Sequence, residues 1–197
     1  MKLKVLLSIV FLTITASGLA FAQVLVPTLN KLRFTTLDGG DIERREVRAA
    51  NNSIRDEVII PTHYNNRPVA NIASGAFQNI TRITDVSIPG SVTLIGANAF
   101  RGCTGLESVY IGIGAGTWIE ANAFAGCTNL TWVIIGGWVD IENANAFPGD
   151  LRAKYQAGGA GAYRRLRGSS TWTKEYIAAT CSHCWYPFHI PGLNYSN

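Results

Sequence analysis

Four cysteines and three histidines are the side chains of this sequence best suited to metal binding, redox exchange or nucleophilic attack. Cys181 and Cys184 stand in "CSHCWYPFH", with His183 and His189 close by. These are donor types for Zn, but a Zn site needs four ligands at set spacing, and only one half-site is present. A redox dithiol needs a strand–helix frame around the motif, which the flanking residues do not suggest. A local disulfide is the third chemistry open to this pair in an exported chain. The other two cysteines occupy equivalent places, Cys103 in "NAFRGCTGLESVYI" and Cys127 in "NAFAGCTNLTWVII". Two cysteines at one repeated position could hold a metal, close a disulfide, act as nucleophiles or simply pack. No His lies in register with them, so neither a Zn site nor a Cys–His pair finds its partners.

Other catalytic signatures are weak. His63 lies in a loop and is expected to be solvated. "GAGT" and "GGAGA" lack the strand–helix frame of a phosphate-binding loop. No Ser-His-Asp arrangement and no pair of catalytic carboxylates stands out. The expectation is a non-enzyme with no cofactor and no resident metal. Asn51, Asn79, Asn129 and Asn194 fit the N-glycosylation sequon, which matters only in a eukaryotic secretory pathway.

The elements that position these residues come from an internal repeat, the feature to seek first. The Phe of "AF" recurs at Phe77, Phe100, Phe124 and Phe147, at spacings of 23, 24 and 23. Ala precedes each one. Two positions before it stand Gly75, Asn98, Asn122 and Asn145; five before, Ile72, Ile95, Ile119 and Glu142; eight before, Val69, Val92, Gly116 and Val139. Three after come Ile80, Cys103 and Cys127; nine after, Val86, Val109 and Val133; eleven after, Ile88, Ile111 and Ile135. Asp150 then marks the end of the core face. A column that accepts Ile or Cys is a packing column, and free Cys behaves as a small buried hydrophobe. Buried thiols are therefore the reading for Cys103 and Cys127. A bridge between coils about 5 Å apart remains the alternative.

Some 23 residues cannot bury an apolar face alone, but stacked coils bury a continuous core. Val-x-Ile has period 2 and marks a short strand; strands at this spacing must be parallel. The pattern predicts strands at 57–60, 85–88, 108–111 and 132–135, each closed by Pro61, Pro89, Gly112 or Gly136. The first coil carries "THYNNRP" as an insertion. The architecture is a right-handed solenoid of α/β type, with one short parallel strand per coil of 23–24 residues.

These columns, quoted whole in "LIGANAFRGCTGLESVYI", resemble the BspA-like leucine-rich repeat. The resemblance is strong over residues 57–150. It extends to "LRFTTLDGGDIERREV", similar to the family's N-terminal β-hairpin cap within 23–56, and to "LRAKYQAGGAGAYRRLRGSSTWTK", similar to its C-terminal cap over 151–175. The tail, 176–197, resembles no family element. Adhesion to host extracellular-matrix proteins or to other cells is what the resemblance implies.

The start of the chain, "MKLKVLLSIVFLTITASGLAFAQ", reads as a secretory signal peptide over residues 1–22: a basic start, an apolar run and small residues before the cut. No second apolar run approaches the length of a span, so no membrane span is expected after its removal, and the location is secreted or cell surface. Without Lys2 and Lys4, 15 Lys and Arg face 13 Asp and Glu. Residues 57–147 carry 3 basic and 6 acidic side chains, and residues 148–197 carry 6 and 2. A nucleic-acid binder needs a dense basic face, so that class is excluded. "RRLR" (Arg164 to Arg167) reads as an exposed face of a capping strand.

Strand parity leaves Glu57, Ile59, Asp85, Ser87, Ser108, Tyr110, Trp132 and Ile134 facing outward. Neighbouring loops are expected to add Trp118 and Trp138. Apolar and aromatic groups on an outer face need a reason, either cover by a terminal segment or a partner. Tyr and Trp beside acidic groups suit protein recognition. The function expected is a protein-interaction module, with surface or matrix proteins of a host or neighbouring cell as partners. The alternatives are an extracellular carbohydrate-binding module, since exposed Trp also stacks on sugars, and a small metal or redox protein using Cys181 and Cys184.

Overall fold

The computed structural model describes residues 29–37, 44–114 and 116–175. Residues 1–22, where a signal peptide is expected, and the tail with Cys181, His183, Cys184 and His189 lie outside the described residues. The chain winds into stacked coils whose strands form two sheets. The first sheet holds the predicted strands: β3 (Asp56–Ile59), β6 (Ile83–Ile88), β8 (Ser108–Ile111) and β10 (Trp132–Ile135), parallel and in sequence order. Val58, Val86, Val109 and Val133 lie in register on its inner face, and all are buried.

The one-strand-per-coil pattern is incomplete, because the return arm of each coil carries a second strand. These are β5 (Arg67–Ile72), β7 (Leu94–Ile95), β9 (Thr117–Ile119) and β11 (Val139–Ile141), again parallel neighbours. Three of the four are only two or three residues long, so their period-2 signal is faint. Two columns shift accordingly. The partner of Val139 is the buried Thr117, and Gly116 falls outside the core. The buried partner of Ile119 is Ile141 in place of Glu142. Glu142 instead accepts the Ala121 N–H (2.7 Å), as Glu120 accepts that of Ala97 (2.7 Å).

A hairpin of β1 (Leu32–Leu37) and β2 (Arg44–Ala49) extends the second sheet beyond β5. The insertion "THYNNRP" forms β4 (His63–Tyr64), turning back on β5 through Asn65 and Asn66, both at positive φ as a tight hairpin turn requires. Tyr64 stacks on Phe34 at 4.0 Å and so ties the two hairpins together. His63 lies on β4 instead of in a loop, but it is exposed as expected.

The repeat columns have physical causes. Phe77, Phe100, Phe124 and Phe147 form one stack with centroid spacings of 4.9, 5.0 and 4.6 Å and nearly parallel planes. That spacing is the inter-strand distance of a sheet, so the rings inherit it from the backbone. The backbone ladder continues beneath them: the N–H groups of Phe77, Phe100 and Phe124 donate to the carbonyls of Ala99, Ala123 and Ala146, each at 2.7 Å. The columns two before and two after Phe are Gly or Asn because Gly75, Asn98, Asn122, Asn79, Gly102, Gly126 and Gly149 all adopt positive φ, which other residues resist.

At the far end, helix α1 (Leu151–Gly158) and the antiparallel strands β12 (Gly161–Arg164) and β13 (Thr173–Glu175) close the stack. Asp150, in the cysteine column, accepts the Trp172 N–H (2.7 Å). "RRLR" is only partly the exposed face expected of it. Arg164, Leu166 and Arg167 are exposed, but Arg165 is buried. Its guanidinium donates to the carbonyls of Leu130 (2.5 Å), Ser169 (2.6 Å), Cys127 (3.1 Å) and Thr128 (3.1 Å), and lies 5.3 Å from the Trp172 ring centre. Arg165 thus gathers the carbonyls of the turn after Phe124 under one guanidinium, which satisfies them at the C-terminal end of the stack.

Two stability tests follow. Phe100→Ala and Phe124→Ala should each cost about 3–5 kcal/mol, the range for buried Phe truncation, read from urea denaturation midpoints. A midpoint equal to wild type would show that the stack contributes nothing. Arg165→Met should cost at least about 2 kcal/mol, because buried carbonyls lose their donors. Thermal unfolding of that variant at the wild-type temperature would refute the capping role.

Candidate functional site

The outward residues of the first sheet form two rows. One runs Glu57, Asp85, Ser108, Trp132, Arg164; the other runs Ile59, Ser87, Tyr110, Ile134, Ala162. With strands about 4.8 Å apart the rows span roughly 19 Å. All eight residues singled out from the sequence therefore share one surface. It is graded: acidic and polar at the first coils, aromatic and aliphatic at the last, then basic at Arg164.

The residues differ in access. Glu57 is exposed, and Ile59, Asp85, Ser87, Ser108, Tyr110 and Trp132 are half-buried. Ile134, expected at the apolar centre, is only 5 % exposed, and Ala162 beside it 1 %. Outward parity does not make Ile134 a contact residue; it forms a floor next to Tyr110 and Trp132. Asp85 accepts a hydrogen bond from the Ser108 hydroxyl. Partial desolvation, and then the Asp85 charge beside it, hold the Glu57 carboxyl above the usual carboxylate range. Glu107, just before β8, pairs with Arg167 at 3.1 Å on the surface, where such a pair contributes little.

Trp118 and Trp138 are not part of this surface. Trp118 is the middle residue of β9 and Trp138 immediately precedes β11, so both belong to the second sheet. The alternations Thr-Trp-Ile and Val-Asp-Ile are three residues each, too short to signal this placement in the sequence. Among the described residues, no cluster of three His, Cys, Asp or Glu could hold a metal ion.

Cys103 and Cys127 are free, fully buried and members of the core. Each donates its S–H across to the coil before it, to Phe77 O (3.0 Å) and Phe100 O (3.1 Å). Burial pushes the Cys103 thiol up to about 11 and that of Cys127 up further. A reactive thiol needs the opposite shift and access to solvent. The repeated cysteines pack, and their weak donors add a bond between coils.

The geometry defines a class: a two-sheet parallel solenoid with capped ends, open along its faces, of the kind repeat proteins use for recognition. Residues 53–150 match the BspA type leucine rich repeat region in six copies. The chain belongs to that family. No curated protein matches the chain. Among solved structures it is similar to a leucine-rich repeat protein from Bacteroides ovatus, at 25 % identity and TM-score 0.44, over 54 % of this chain and 28 % of that one. A leucine rich cell surface protein from Faecalibacterium prausnitzii gives 25 % identity and TM-score 0.37, over 54 % and 32 %. The T. pallidum leucine-rich repeat protein gives 18 % and 0.33, over 66 % and 94 %. The chain thus spans less than a third of the first two.

A test of the thiols follows. Native labelling at pH 8 should be slow at both Cys103 and Cys127 and should accelerate only under denaturant. Fast native labelling would reject the packing role. Because the folded-state pKa lies above the unfolded value of 9.0, the folded chain holds more protons between pH 9 and about 11. Stability should therefore fall as pH rises through that window, and Cys103→Ala should reduce the slope.

Proposed function

We propose that this chain is an exported protein-recognition module that binds surface or matrix proteins of a host or of neighbouring cells. The observation that carries the reading is the first sheet's outer face, where Tyr110 and Trp132 sit on adjacent strands above the buried Ile134. A soluble protein ordinarily places polar groups there, and these are the residue types that concentrate binding energy. Glu57, Asp85 and Ser108 border them with acidic and hydroxyl groups. Membership of a leucine-rich repeat family supports an interaction role. The signal-peptide pattern of residues 1–22 supports export, and among the described residues no helix is long and apolar enough to cross a membrane. A basic partner patch would complement Glu57 and Asp85 and speed association at low salt.

Solid-phase binding of the purified protein to a panel of extracellular-matrix proteins and to whole cells tests the reading. The Tyr110→Ala, Trp132→Ala double variant should weaken the affinity by roughly two orders of magnitude or more, since each hot spot contributes about 2 kcal/mol. Its circular dichroism should be unchanged. Unaltered affinity would move the site to the basic end at Arg164 and Arg167.

A further inference from the structure

We propose that the second sheet carries a separate site for a neutral oligosaccharide chain, built on Trp118 and Trp138. The repeat buries most of its large apolar side chains; among the described residues these two indoles, 53 % and 67 % exposed, are left out together with Ile113 and, in the cap, Leu166. They share one face. Trp118 lies opposite Asp140 on β11, and Trp138, two residues before Asp140, lines the same groove as Asp140. Such diagonal neighbours stand about 7–8 Å apart across a sheet, so rings along an extended sugar chain can each meet an indole.

The Trp138 ring has a built seat. It lies over Gly116 on the neighbouring coil: a Cβ there would come within 2.7 Å of ring atom Cε3 and 3.1 Å of Cζ3, and Gly116 has a φ of +123°. Any side chain at position 116 would collide with the indole, so glycine is what lets Trp138 pack against the neighbouring coil while staying 67 % exposed. Trp138 then forms one wall of a groove of about 350 Å³, running between β11 and α1, with Asp140 and Gln156 on its rim and Tyr155 and Gly159 below. The Tyr155 hydroxyl accepts from Val139 N (2.8 Å) and donates to Gly137 O (3.3 Å), which fixes the floor. Asp140 and Gln156 are exposed and make no side-chain hydrogen bond among the described residues.

This set matches the chemistry of a sugar. A flat aromatic face accommodates the C–H face of a pyranose, a free carboxylate accepts from hydroxyls, and an amide both donates and accepts. The charge favours a neutral chain. β7, β9 and β11 contribute no Lys or Arg, and Asp140 would repel an anionic glycan. Two indoles as exposed as these also lack the enclosure that an organic cation requires.

The test is titration of the full-length protein with cellohexaose, chitohexaose, mannohexaose and a heparin hexasaccharide, followed by intrinsic Trp fluorescence and calorimetry. At least one neutral hexasaccharide should bind with Kd below about 1 mM. Trp118→Ala and Trp138→Ala should each weaken it about tenfold or more, and Asp140→Asn should weaken it while leaving the fold intact. Tyr110→Ala, on the other sheet, should leave sugar binding unchanged; its effect on protein binding is separate. Failure of all three neutral sugars at about 1 mM, tighter binding of heparin, or wild-type affinity in both Trp variants overturns the proposal.

Discussion

The interaction on which the rest depends is the in-register stacking of coils at the spacing of backbone hydrogen bonds. The Phe rings stand 4.6–5.0 Å apart because the peptide ladders beneath them do. Once that spacing is imposed, every column must hold side chains that tolerate a copy of themselves one strand away. Ala before Phe, Val and Ile along the strand, and Cys or Ile after the turn meet this condition. The positive φ at Asn79, Gly102, Gly126 and Gly149 meets the backbone's own condition, since the turn must repeat with the same handedness in every coil.

A stack has two ends, and each leaves a row of unpaired backbone groups. The two ends are closed differently. The N-terminal hairpin extends only the second sheet, docked by the Phe34–Tyr64 stack. The C-terminal end uses β12 for the first sheet and the buried Arg165 for the carbonyls of the loop after Phe124. An arginine suits this place because its planar fork offers five donors, and Trp172 covers its face.

Two-strand coils also expose two broad faces with separate characters. The first sheet grades from acid to aromatic along its outer rows. The second carries isolated indoles beside a free carboxylate, with acidic residues such as Glu120 and Glu142 consumed in bonding backbone N–H groups of the preceding coil.

The sequence by itself determined the repeat, the strand register of the first sheet, the inward valines and isoleucines, the shared column of Cys103 and Cys127, and which residues face outward there, while the structure decided that the two thiols are free. Local periodicity carries that information, because a side chain's face follows from its parity. Only the tertiary structure decided the rest. The second strand of each coil is two or three residues long in three of the four, too short for periodicity to register, so Trp118 and Trp138 were assigned to the wrong surface. The columns through Gly116 and Glu142 slipped by one, because the return arm shortens between β9 and β11 while the Phe anchors keep their spacing. Burial of Ile134 despite its outward parity, and of Arg165 within an apparently exposed basic run, depends on what lies across the chain from each. A one-dimensional pattern reports which way a side chain points, and it cannot report what covers it.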